Sequence, residues 1–210
     1  MTGTAKPPRR TQGQRSSAMR ARLLDATIDC LVDYGYAGTT TPRVAERAGV
    51  TRGAQLHHFG AKHDLVVAAI NHLAQRRVTA ALSEVTQVRA GADPVGAALE
   101  FLWDLHQGPL FVATVELWVA GRTDPALAAA MAEVEPLVNN AVLRAVTELI
   151  PEDPRRKRVR DFVYTAMDAL RGILLADFVA PDPDRARRRW ARAATALRAS
   201  ATTAVGSSGR

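Results

Sequence analysis

Three imidazoles lie close together in the stretch "TRGAQLHHFGAKHDL", residues 51–65: His57 and His58 are adjacent, and His63 follows five residues later. Imidazoles bind metals, move protons or hydrogen-bond to a partner surface. A metal site is poorly supplied, because adjacent helical residues point in different directions and no Cys or carboxylate cluster completes a ligand set. No nucleophile–base arrangement and no phosphate-binding glycine loop accompanies the histidines. The sequence therefore implies no catalytic residue, no metal and no cofactor. An enzyme acting on a small molecule remains only as a lesser alternative. Arg52 and Gln55 lie beside the histidines, and both side chains can make paired hydrogen bonds to a planar partner.

The elements that must hold these side chains are legible in "TTPRVAERAGVTRGAQLHHF", residues 40–59. Thr41 and Pro42 start a short helix, and Val44, Ala45 and Ala48 give it an apolar face. Gly49 takes the position where helices end in left-handed backbone, and Thr51 caps the next helix. Two short helices joined by a tight glycine turn form a helix-turn-helix, whose second helix enters the major groove of DNA. In that setting Arg52 pairs with guanine, and Gln55 pairs with adenine if the helix is rotated to face the bases. The other reading of Gln55 is a half-buried side chain. Gly53 and Thr51 belong to the same helix start, and His57 reaches a phosphate or a base. Thr40 and Thr41 donate to phosphates from a helix N-terminus, with Arg43 either beside them or simply solvated.

The charge distribution agrees with a polyanionic partner. The net charge is +7, and residues 1–77 carry 12 Lys and Arg against 5 Asp and Glu. The rest of the chain carries 16 against 16. A composition that was merely arginine-rich would not confine the excess to one end. Lys6, Arg9, Arg10, Arg15 and Arg20 form a basic arm without an acid. Such an arm either follows the DNA backbone or enters the minor groove, or it is a tail with nonspecific attraction only. Charge alone would also suit a sequence-tolerant architectural DNA binder, the principal alternative to a regulator. The neutral, apolar remainder speaks against it.

The segment "LLDATIDCLVDYGYAGTTTPRVAERAGVTRGAQLHHFGAKHDL" resembles the DNA-binding domain of TetR-type bacterial transcriptional regulators. The matching features are Gly35-Tyr36, Thr39-Thr40, Val44-Ala45, Ala48-Gly49-Val50, Gly53, His58-Phe59, Lys62 and Leu65, within residues 17–77. The resemblance implies that Lys62 contacts a phosphate and that His58 packs at the end of the reading helix. One departure stands out. Where the family has an apolar residue followed by a phosphate-touching Tyr, this chain has Gln55 and Leu56. The resemblance further implies a homodimer that acts as a repressor on a near-palindromic double-stranded operator and releases it to a small-molecule effector, while the composition suits the cytoplasm.

The whole chain reads as all-α. The expected division is a flexible basic arm (1–16), the DNA-binding domain (17–77), a helical effector-binding and dimerisation domain (78–200) and a flexible tail (201–210). Asp-Pro pairs at 93–94, 124–125, 153–154 and 182–183 mark helix starts. Apolar residues recurring at three and four predict helices at 17–34, 42–48, 52–58, 62–89, 94–107, 110–120, 125–149, 155–179 and 183–200. No apolar run is long enough to span a membrane, no signal-peptide pattern follows the basic start, and the single Cys30 reads as a core residue. Trp103, His106, Phe111, Glu116, Trp118 and Asn139 are candidates to line an effector pocket, and each also has a plain core or surface reading. Phe162, Val163, Ala166, Leu170, Ile173, Leu174, Trp190 and Leu197 form apolar faces on the last two helices. Those faces either build a four-helix dimer interface or fill the subunit's own core.

Overall fold

Helix starts in this chain are set by side chains that satisfy free backbone N–H groups. The computed structural model describes residues 11–85, 93–150, 157–179 and 181–206. These form α1 (Gln12–Gly38), α2 (Thr41–Arg47), α3 (Arg52–His58), α4 (Lys62–Val85), α5 (Pro94–Leu105), α6 (Pro109–Gly121), α7 (Pro125–Leu149), α8 (Lys157–Asp177) and α9 (Pro183–Gly206), with no strand among the described residues. Asp93 accepts from the Gly96 N–H at 2.8 Å, Asp124 from Leu127 at 3.2 Å and Asp182 from Arg185 at 2.9 Å, each one residue before a helix-starting proline. The Asp153-Pro154 pair lies outside the described residues, as do residues 86–89 of the expected fourth helix.

Two expected boundaries are corrected. Residues 12–16 are helical, because Thr11 and Gln14 cap each other reciprocally at 3.2 and 2.9 Å and start α1 early. Residues 201–206 continue α9 to Gly206, since the alanines and threonines there do not stop a helix. Lys6, Arg9 and Arg10 of the expected arm lie outside the described residues.

The chain divides into two units, Met1–His72 and Leu73–Arg210. The core of the first joins Leu23, Leu24, Ala26 and Cys30 of α1 to Val44 and Ala48, Phe59, and Leu65 and Ala69 of α4. Helices of seven residues such as α2 and α3 are not stable alone. They persist because Val44, Ala45 and Phe59 are buried, each fully buried large apolar side chain contributing about 1.5–3 kcal/mol. Gly35 interrupts α1 with φ 65°, and Thr39 closes the break by donating to the Gly35 carbonyl from both its N–H (3.1 Å) and its hydroxyl (2.8 Å).

The second unit is built on a deep apolar face of α7, including Leu127, Val134, Val142 and Val146. Pro136 inside α7 removes one intrahelical N–H donor. α8 and α9 pack on each other, with further contacts from α5. Arg187 of α9 meets Glu100 of α5 at 2.5 Å, and Arg198 meets Asp93 at 2.6 Å. This packing corrects most of the expected dimer faces. Val163, Ala166, Leu170, Leu174 and Trp190 are buried within the subunit. The reason is that the widest apolar arc of α8 closes against its own neighbours. Phe162, Ile173 and Leu197 remain partly exposed.

Candidate functional site

The turn between α2 and α3 is built by local hydrogen bonds. Gly49, at φ 62°, donates to the Glu46 carbonyl at 2.9 Å, and Val50 donates to the Ala45 carbonyl at 3.0 Å. This is the Schellman pattern, which needs left-handed backbone at the glycine. The Arg22 guanidinium donates to the Ala48 carbonyl and fixes the turn from α1. Thr40 caps α2 through Arg43 N–H at 3.4 Å, and Thr51 caps α3 through Ala54 N–H at 3.2 Å.

The rotation of α3 decides which side chains a partner can meet. Arg52, Gly53, Leu56 and His57 are exposed, and helical spacing places them on one face. Gln55 is corrected: it is 0% exposed, and its Nε2 donates to the Phe59 carbonyl at 2.8 Å. It occupies the apolar position of the motif from inside the core and is not on the outward face. Its Oε1 has no hydrogen-bond partner, a state that costs about 1–3 kcal/mol. Leu56, 47% exposed, holds the outward position instead. His58 is half-buried, edge-on to His57 with ring centroids 5.5 Å apart. Among the described residues no group of three His, Cys, Asp or Glu is placed to hold a metal.

Two expected phosphate contacts are already engaged within the unit. Lys62 Nζ donates to the Tyr36 carbonyl at 2.7 Å and sits 4.1 Å from the Tyr36 ring centre. Partial burial pushes its ammonium pKa down. Arg43 donates to the Gly38 carbonyl at 2.6 Å and lies over the Tyr34 ring at 4.7 Å. Both reach a phosphate only while sharing these contacts. Thr41 is half-buried at the start of α2. Arg20 covers the Phe59 ring at 4.6 Å, which ties that part of the expected arm to the core. These intramolecular roles carried no periodic signal in the sequence.

The second unit holds a buried polar cluster along one face of α6. Phe111, Thr114 and Trp118 recur at helical spacing on that face. His106, 1% exposed, meets the Phe111 ring edge-on at 5.3 Å and directs Nδ1 to the Leu102 carbonyl at 2.8 Å. Arg77, 4% exposed, donates to the Thr114 hydroxyl at 3.4 Å. Arg171 lies over the Trp118 ring at 5.0 Å and donates to Glu135 at 3.3 Å and Asn139 at 3.0 Å. Trp118 donates to Glu135 at 3.3 Å. Burial, with the Arg171 charge second, pushes Arg77 down to about 10, so it keeps its charge at neutral pH. Burial first, then the Arg77 charge, pushes His106 down to about 3, so its ring is neutral.

Of the expected pocket residues, His106, Phe111, Trp118 and Asn139 join this cluster. Trp103 does not: it stacks on Trp190 at 6.4 Å beneath the Arg187 guanidinium, because α5 turns it toward α9. Glu116 does not either, since two residues from Thr114 is the opposite side of α6. Arg77, Thr114, Glu135 and Arg171 were not anticipated. Arg77 had a readable signal, for it occupies a core position in the four-residue spacing Leu65, Ala69, Leu73, Arg77, Ala81, Val85, all buried.

Paired short helices crossing at a left-handed glycine, with Arg52 and His57 on the outward face of the second, define a helix-turn-helix DNA-binding domain. Residues 23–69 match the family model for bacterial regulatory proteins of the tetR family. The chain is 36% identical over 118 residues, 56% of its length, to an HTH-type transcriptional regulator of Mycobacterium tuberculosis. That match spans 60% of the relative's length. It is 28% identical to the HTH-type transcriptional repressor AcnR of Corynebacterium glutamicum, over 74% of this chain and 81% of that one. Among solved structures, the multidrug binding protein EbrR, complexed with imidazole, superposes with a TM-score of 0.57 and 26% identity, covering 85% of this chain and 93% of the other. The residues that match the family model lie within the N-terminal unit.

Proposed function

We propose that this chain is a sequence-specific transcriptional repressor that binds a near-palindromic operator as a homodimer and leaves it when a small molecule binds the C-terminal unit. The observation that carries this reading is the outward face of α3, where Arg52, Leu56 and His57 surround Gly53. Arg52 would pair with a guanine edge, and Leu56 would meet a thymine methyl rather than a phosphate. A carbon built at Gly53 meets only the Thr51 hydroxyl, at 3.9 Å, so the glycine leaves clearance that the fold itself does not require. Dimer contacts fall to the partly exposed flank of α8 carrying Phe162, Ala169 and Ile173, together with Leu197 of α9. Such a dimer works at the chromosome, in the cytoplasm, by binding rather than by turnover. EbrR, a multidrug binding protein also seen with proflavin and with ethidium, is a precedent for small-molecule binding on this fold. The effector acts by its differential affinity for the operator-fitting and operator-averse forms of the dimer.

The test is selection of bound duplexes from a random pool at near-physiological salt. One enriched palindrome, with half-sites about 34–36 Å apart or a multiple of this, is expected. Tight binding without enrichment would overturn the regulator reading in favour of an architectural protein bound through charge.

A further inference from the structure

The cluster on α6 is unevenly satisfied. Arg77 Nη2 and Arg171 Nε are buried donors without partners, and His106 Nε2 is a buried ring nitrogen without one. Because His106 Nδ1 faces a carbonyl, its hydrogen sits there, and Nε2 of the neutral ring is an acceptor. The three orphans follow α6 in order: His106 beside Phe111, Arg77 at Thr114 and Arg171 at Trp118. Within this face the two guanidiniums are met by one carboxylate, Glu135, which is already held by Arg171 and Trp118. Asp168 also approaches Arg171, at 3.7 Å, but is 75% exposed and screened by solvent. Buried charges are ordinarily paired and buried polar atoms hydrogen-bonded. An anion with two acceptor oxygens would complete Arg77 and Arg171 together, since guanidiniums bind carboxylates through paired N–H groups.

We propose that the effector is a small organic acid whose carboxylate is held between Arg77 and Arg171 and whose hydroxyl donates to His106 Nε2. The proposal rests on the ligand-responsive reading above and specifies its ligand class. A cationic ligand is disfavoured at this face, because two arginines already outnumber the one partly buried carboxylate. The Trp118 ring beside Arg171 and the Phe111 ring beside His106 suit a ligand with a flat apolar body between its polar ends.

The test uses the full chain without DNA, and calorimetry with 4-hydroxybenzoate and 4-hydroxycinnamate as probes. Each is compared with its amide, with the acid lacking the hydroxyl, and with ethidium as a planar cation. At least one acid should bind about 10- to 100-fold tighter than its amide and more tightly than the acid lacking the hydroxyl. Arg77→Gln and Arg171→Gln should each abolish that preference. Arg171 is partly exposed, so its variant serves if Arg77→Gln fails to fold. Equal binding of acid and amide, preference for ethidium, or no binding by either acid would overturn the proposal. Operator binding is measured separately on the same samples. An acid that binds but leaves the operator complex intact would overturn the regulatory reading while the ligand class stands.

Discussion

Gln55 and Arg52 are three residues apart on α3 and have opposite surroundings. Gln55 is enclosed and bonded to the Phe59 carbonyl, whereas Arg52 is exposed. Arg52→Ala should weaken operator binding by about 1–3 kcal/mol and relax preference at one base position. Gln55→Leu should leave every base preference unchanged, because its side chain does not reach the outer surface. A changed preference at one position in a binding-selection profile would place Gln55 on the DNA after all. Lys62→Ala should weaken all duplexes alike and lower the salt slope by about one, as loss of a single phosphate contact does. It should also lower thermal stability, since the ammonium holds the Tyr36 carbonyl. An unchanged salt slope would leave Lys62 with the structural role alone. The residue types on α3 were legible in the sequence, but the rotation of a seven-residue helix was not. About two turns carry too few apolar positions to fix which side faces inward, and Gln55 stands where an apolar residue would have marked it.

Among elements, α3 carries a glycine that its own stability does not favour. Gly53 has ordinary helical backbone and open space around it. Gly53→Ala should therefore stabilise the unit by about 0.4–1 kcal/mol, through a less flexible unfolded chain and better helix propensity. The same variant should bind operator more weakly, because a methyl group now stands on the reading face. Denaturant melting and DNA titration together check both signs, and a gain in stability with unaltered binding would remove Gly53 from the interface. Helix existence and most starts were legible, because Asp-Pro pairs and threonine caps are local chemistry. The faces of α8 were not. Its apolar arc is wide enough to serve either a subunit core or a dimer, and only packing shows that Val163, Ala166, Leu170 and Leu174 are taken up inside.

For the whole molecule, the neutral His106 makes stability depend on pH. Its folded pKa, near 3, lies below the unfolded value of about 6.5. The groups facing it are the Leu102 carbonyl, the Phe111 ring and the permanently charged Arg77 and Arg171. Below about pH 6.5 the unfolded chain therefore binds a proton that the folded chain refuses. Stability should fall toward pH 3 with a limiting slope of about 1.4 kcal/mol per pH unit from this group. His106→Gln should remove that part of the slope in urea melts across the range, and an unchanged slope would mean that the ring is protonated in the folded protein. The first unit's helix-turn-helix was legible because a whole spaced motif agrees at once. The polar cluster on α6 was not, because Arg77, Thr114, Glu135 and Arg171 come together only through packing of four helices.

Cys30 is the chain's single thiol, and it lies fully buried in the core shared by α1, α2 and α4. Burial raises its pKa, so little thiolate forms while that core is closed. An alkylating reagent can thus reach this chain only when the DNA-binding unit opens. The rate of labelling becomes a clock for one unit's opening, unaffected by motions of the other that leave this core shut. Added operator should slow that clock in proportion to occupancy, which turns one inert side chain into a built-in gauge of DNA binding that needs no engineered probe.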